Sequence, residues 1–259
     1  MALRDESETI KIEQYGKPIS IVISSKSRHR GLLEKRTKLI VNERDLQVSL
    51  AGMLRESTHY DEVEVEYMVP IEELMSLANK GESYPWSNVA AMYVDIVVRK
   101  GKQFVPIELK YTTKAVKAPA GYKERFAEPM LNSNIQIVKN QEAGNLVMYN
   151  YWKDVRRLEL LKRRYSHIVG GIALLITNAK RYWDASKVRT NSSYYPFYTG
   201  EGKTVNNGHW SGEPSVQTTH RDFDLDQSYT CHWEDMSRLD IKGGNNEAYD
   251  KFRYCLTEV

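Results

Sequence analysis

The 259-residue chain carries 37 Lys or Arg against 34 Asp or Glu, a formal charge of +3, and 41% hydrophobic residues. That balance excludes a disordered or fibrous class and allows a sizeable buried core. Cys231 and Cys255 are too few for a disulfide framework, and neither they nor the six histidines fall at zinc-ligand spacing, so a reducing, cytoplasmic setting is expected. The opening MALRDESETIKIEQ is charged and lacks a signal-peptide core, and no stretch reaches the roughly 18 apolar residues of a membrane helix, so no membrane partner is expected.

In chain order, residues 10–24 hold two short β-favouring runs broken at Gly16 to Pro18, which predicts a hairpin. The basic stretch KSRHRGLLEKRTK follows at 26–38. Residues 42–56 place Leu46, Leu50, Met53 and Leu54 at helical spacing, with Asn42 available as N-cap and Glu43 in the first turn. DEVEVEYMVP alternates acidic and apolar residues, as a half-buried strand does, and ends at Pro70. IEELMSLANKG reads as a short helix closed by Gly81. Two strands joined by a basic turn are predicted over 92–111, then a long polar loop to about 134. A helix is expected over roughly 138–164, although Gly144 weakens its first turns. The apolar run 167–179 predicts a strand buried on both faces. Residues 184–259 predict loops and short strands, with 249–259 the clearest strand.

The two strands at 92–111 carry the chemistry. Alternation puts Glu108 and Lys110 on one face of the second strand, with Tyr93, Asp95 and Val97 sharing a face of the first. A turn at Lys100-Gly101 would set Asp95 opposite Pro106 and diagonal to Glu108, at roughly 7 to 8 Å between backbones. Two carboxylates so placed can share a hard cation, Mg²⁺ or Mn²⁺, which activates a bound water and neutralises charge on a phosphodiester. Lys110 would orient that water or stabilise the developing negative charge. Against this stands an ordinary cross-strand Glu/Lys pair on a solvated sheet face.

Asp95, a spacer of twelve residues and then Glu108-Leu109-Lys110, set after a helix with Glu43 and a strand and before a helix and strand, resembles the PD-(D/E)xK nuclease superfamily. NERDLQ is similar to its first-helix motif with an acidic residue, VEVEY to the strand after it and KDVRRLE to a segment common in the helix behind the active site, while KNQEAGN and ITNAKRYW are similar to an uncharacterised bacterial branch of it. The resemblance spans about 42–183. It implies a mixed α/β, restriction-endonuclease-like αβββαβ core over 40–183, within a single domain that also has an N-terminal hairpin and basic arm (1–39) and a C-terminal β/loop extension (184–259). It implies that Asp95, Glu108 and Glu43 bind Mg²⁺ or Mn²⁺ together with the Leu109 carbonyl. Lys110 would be the catalytic lysine, and Gln141 a polar residue facing the site from the second helix. The substrate implied is nucleic acid, DNA above RNA. Double-strand cutting in this fold usually uses a dimer, so a homodimer is the implied assembly.

Val94 stands where the motif has proline. Pro106, inside the second strand, requires a bend, an edge or a bulge. Asp154, Arg156, Arg157 and Glu159 are spaced for helix-surface pairs. Lys114, Arg156, Lys162 and Arg163 are the candidate phosphate contacts. Tyr194, Tyr195, Phe197, Tyr198, Trp210 and Trp233 could stack on unpaired bases or fill a small core. The alternatives to a nuclease are a catalytically inactive nucleic-acid binder on the same scaffold and a partner-binding subunit.

Overall fold

The computed structural model describes residues 9–14, 17–22, 40–70, 91–117, 136–141, 144–184, 186, 189–212, 214–238 and 249–259. The two β-favouring runs near the start pair as an antiparallel hairpin, β1 (Thr9–Gln14) and β2 (Lys17–Val22), with Gln14 opposite Lys17. The hairpin belongs to one unit, Met1–Val41; all that follows belongs to a second, Asn42–Val259. The basic stretch 26–38 and the short helix expected at 71–81 lie outside the described residues.

In the second unit, helix α1 (Glu43–Glu56) starts where Asn42 turns extended and its Oδ1 accepts the Asp45 N–H at 2.8 Å. Glu43 and Asp45 sit in the first turn, where the helix dipole favours negative charge. The inward stripe is Leu46, Ala51 and Leu54, with the polar Gln47 among them. Strands β3 (Glu62–Pro70), β4 (Ala91–Lys100) and β5 (Gln103–Thr112) follow and pair antiparallel in that order.

The polar stretch after β5 is partly structured: β6 (Val116–Lys117) pairs with β7 (Gln136–Val138). The second helix, α2 (Leu146–Arg164), therefore starts later than the periodicity predicts. Val138 is a strand residue, and Gly144 at φ +65° turns the chain just ahead of the Asn145 cap. Strand β8 (Ile172–Thr177) is wholly buried and runs parallel to β5, with α2 as the crossover. It is shorter than the apolar run 167–179 suggests. Gly171 is spent on a two-way backbone pair with Val259, and the Thr177 Oγ1 accepts the Ala179 N–H at 3.0 Å.

The C-terminal part contributes β9 (Thr204–Gly208), β10 (Phe223–Thr230), β11 (Trp233–Arg238) and β12 (Lys251–Glu258). It completes the core sheet: β12 pairs with β8 and β11 with β12, giving a six-stranded sheet in the order β11-β12-β8-β5-β4-β3. The described residues are thus mixed α/β, with a mostly antiparallel sheet and two main helices. The division at 183/184 is not one the sheet respects.

Tyr149, Trp152, Val155 and Leu158 of α2 pack in one cluster with Leu175, Cys255, Phe197, Trp210, Phe223 and Trp233. Rings meet edge to face, as Phe197 and Trp210 do at 4.6 Å, and the Trp152 indole N–H donates to the Phe197 carbonyl at 3.0 Å. Phe197, Tyr198, Trp210 and Trp233 are therefore core residues and not a base-stacking surface.

Candidate active site

The β4–β5 turn fixes where the charged residues meet. Lys100 pairs with Gln103, so Gly101 and Lys102 form the turn, and Gly101 takes the positive φ of +59° at its first central position. The register is two residues away from that expected of a Lys100-Gly101 turn. Val97 lies opposite Pro106, and extending the ladder would set Asp95 directly opposite Glu108 and not diagonal to it.

The ladder ends at Ile96 and Ile107, and side chains then replace backbone acceptors. The Leu109 N–H donates to Asp95 Oδ2 at 2.7 Å, and the Tyr111 N–H donates to Glu43 Oε2 at 2.9 Å. On its other side β5 bridges Ile168 at Phe104 and joins β8 from Ile107 opposite Ile172, a one-residue shift in offset. Pro106 falls in that interruption, where its missing N–H leaves no rung unmade.

Glu108 and Lys110 turn toward α2, which answers with opposite charges. Glu108 is 2% exposed and accepts from Arg157 at 2.7 Å; the same guanidinium donates to the Tyr93 carbonyl at 3.0 Å. Lys110 Nζ lies 2.5 Å from Asp154 Oδ2 and donates to the Leu109 carbonyl at 3.0 Å. Asp154 Oδ1 is also 3.4 Å from Arg157.

Four carboxylates, Glu43, Asp95, Glu108 and Asp154, thus face Lys110 and Arg157, with Lys153 at the margin. Ionising all four leaves net negative charge where water is scarce. Burial accordingly raises the Glu43 carboxyl against the pull of Lys110 and the Tyr111 N–H. It raises Asp95 against the Leu109 N–H and Lys110. Glu108 is pushed up to about 8 by burial, with Asp154 and Asp95 adding to it and Arg157 opposing. Burial by itself would lower Lys110, but Asp154, Glu43 and Glu108 outweigh it, so the amine is kept as an ammonium. Lys153 is pushed down by burial.

Of the residues predicted from sequence, Asp95, Glu108, Lys110 and Glu43 come together. The Leu109 carbonyl is there too, engaged by Lys110. Gln141 is not on the second helix; it precedes α2, its N–H donating to the Thr113 carbonyl and its carbonyl accepting from Thr112 Oγ1. Among the phosphate candidates, Arg156 is buried against Glu159 at 3.0 Å and Asp226 at 2.6 Å, so it is no surface contact. Arg163 pairs with the same Asp226. Lys162 is half-buried in the last turn of α2, and Lys114 is tied by its backbone to the Asn178 amide.

The spacing of Asp154 and Arg157 predicts helix-surface partners, and their i,i+3 contact exists, but both are drawn into the charged cluster. The available signal was their position among the apolar residues of α2. Gln47 and Glu66 were also missed. Gln47 Nε2 donates to the Asp95 carbonyl at 2.7 Å and to Glu66 Oε1 at 3.0 Å. Glu66, at φ +52°, occupies the one rung missing from the β3–β4 register, opposite Asp95.

Carboxylate oxygens are the hard donors that Mg²⁺ or Mn²⁺ takes, and Asp95 and Glu43 each have one oxygen pinned by a backbone N–H, which fixes the direction of the other. The donor chemistry therefore fits such an ion. The geometry is not a finished cage: among the described residues no group of three or more His, Cys, Asp or Glu is drawn together to hold a metal ion. Arg157 and Lys110 draw Glu108 and Asp154 into ion pairs instead. No protein-family model, no curated protein and no solved structure matches the chain. No helix among the described residues is long and apolar enough to cross a membrane.

Proposed function

We propose that the chain is a metal-dependent nuclease of the restriction-endonuclease-like kind, hydrolysing phosphodiesters of DNA. One observation carries the reading: Asp95, Glu43, Glu108 and Asp154 gather around Lys110 at the point where β4 and β5 part. A structural ion-pair network has no need of more carboxylates than cations in a desolvated place. A site that takes up a divalent cation does. With the short β6–β7 pair set aside, the described elements run α1, β3, β4, β5, α2, β8, an order that supports the αβββαβ reading.

Asp95 and Glu43 would present their second oxygens to Mg²⁺ or Mn²⁺, with Glu108 joining from the buried side. The bound ion supplies an activated water and charge neutralisation at the phosphate. Lys110 acts as a cation and not as a base: its ammonium is held by Asp154 and stands where negative charge on a pentacoordinate phosphorus needs a partner. Asp154 and Arg157 position Lys110 and Glu108.

The test is nicking of supercoiled plasmid with Mg²⁺ or Mn²⁺ against a chelator control. Lys110→Ala and Asp95→Asn should each lower the rate by about 100-fold or more. Metal-independent cutting, or undiminished cutting by both variants, would refute it. Salt-sensitive DNA retention by parent and Asp95→Asn alike, with no cleavage under any metal, would instead identify an inactive binder.

A further inference from the structure

Sharing no described lining residue with the charged cluster is a cavity of about 360 Å³ whose described lining includes Arg181, Arg189, Asn145, Tyr194, Tyr195 and Tyr198 and no acidic residue. The volume is in the range of small-ligand sites. Its chemistry is two guanidinium groups with three phenol rings. Arg181 is braced by donation to Asn145 Oδ1 and lies over the Tyr182 ring, 5.4 Å from its centroid. Lys203 Nζ sits 4.4 Å from the Tyr195 centroid, a third positive charge against that ring. Tyr194 stands edge-on to Trp210 at 4.8 Å, so its plane is fixed by the core. Tyr198 is held by close packing: a Cβ on Gly200 would come within 2.1 Å of its ring.

Guanidinium forks suit phosphate oxygens, and fixed aromatic rings suit the face of a base. The cavity also lies beyond the end of the site strand. The Tyr182 hydroxyl, next in sequence to Arg181, contacts Thr112 Oγ1 at 3.5 Å and donates to the Gly144 carbonyl at 3.1 Å. Thr112 is two positions past Lys110 on β5.

We infer that this cavity binds one unstacked nucleotide, its base against Tyr194 and Tyr195 and its phosphate on Arg181 and Arg189. That it belongs to a bound DNA strand rests on the nuclease reading; the nucleotide chemistry itself does not. The site would give the protein a preference for single-stranded or locally opened substrate, since a paired base cannot enter.

The experiment is calorimetric titration of the full chain in chelator with deoxynucleoside 5′-monophosphates, with deoxynucleosides and with inorganic phosphate. The monophosphates should bind saturably and more tightly than either fragment, and Arg189→Glu and Tyr195→Ala should each weaken them by about tenfold or more. Arg189 is exposed, so its replacement tests the cavity without threatening the fold. Absence of saturable binding overturns the inference, as does equal binding of phosphate alone or binding indifferent to both variants. Asp95→Asn should titrate like the parent. A protein that binds monophosphates in this way but never cleaves DNA would strike at the nuclease reading alone.

Discussion

Gln47 is buried on a helix face otherwise made of Leu46, Ala51 and Leu54, and its amide donates to the Asp95 carbonyl and to Glu66. The donation replaces the β3–β4 rung that Glu66 abandons by turning to φ +52°. Asp95 is thereby held from both ends, its carbonyl by Gln47 and its carboxylate by the Leu109 N–H. Gln47→Ala should cost about 1 to 3 kcal/mol in chemical denaturation, since it leaves a partly buried carbonyl without its donor. It should also lower nicking, because the carboxylate is aimed through that backbone. A variant with parental stability would show that the amide is dispensable. The Asp95 and Glu43 carboxylates act on β5 itself as acceptors for N–H groups, so Asp95→Asn, which keeps a carbonyl oxygen for Leu109, is a gentler probe than Asp95→Ala.

At the scale of elements, α2 decides the site because it approaches β8 closely. A Cβ placed on Gly171 would lie 2.9 Å from the Leu158 Cβ, an atom fixed to the helix backbone and fully buried. Gly171→Ala must therefore push α2 outward, at a cost of about 1 to 3 kcal/mol read from the denaturation midpoint. The same shift would move Asp154 and Arg157 off Lys110 and Glu108, so nicking should fall beyond what instability explains. Helix α1 and the β4–β5 hairpin were legible because their signals are local: a cap, a 3.6-residue stripe, alternation around a glycine turn. The start of α2 was not, because residues 136–138 are fixed by pairing with β6 and not by their own periodicity. Asp154 and Arg157 escaped for a related reason. Their spacing reads equally well as a surface pair, and only the β5 carboxylate and ammonium facing them turn it into part of the site.

For the whole molecule, the excess of buried carboxylates makes stability depend on pH. Glu108, raised from 4.5 to about 8 by burial, binds more protons folded than unfolded between those values, and burial raises Glu43 and Asp95 in the same direction. A group whose pKa is raised by folding contributes stability below its unfolded value and loses that contribution as pH rises through the folded one. In chelator the melting temperature should therefore fall between about pH 5 and about pH 8, and Asp95→Asn should flatten the fall. Added Mn²⁺ should oppose it most at the alkaline end, where protons compete least for the carboxylates. A melting temperature that rises across the window would contradict the charge balance described above.

The placement of β12 between β8 and β11 carries a consequence for how the chain is made. Ribosomal synthesis delivers Ile172–Thr177 well before Lys251–Glu258, so the middle of the sheet waits with one flank unzipped while everything between emerges. During that interval the nascent polypeptide offers a strongly apolar ribbon to any other ribbon nearby. Slow translation or a stall ahead of Lys251 would expose it longest, so soluble yield in cells should fall when synthesis slows before those closing residues.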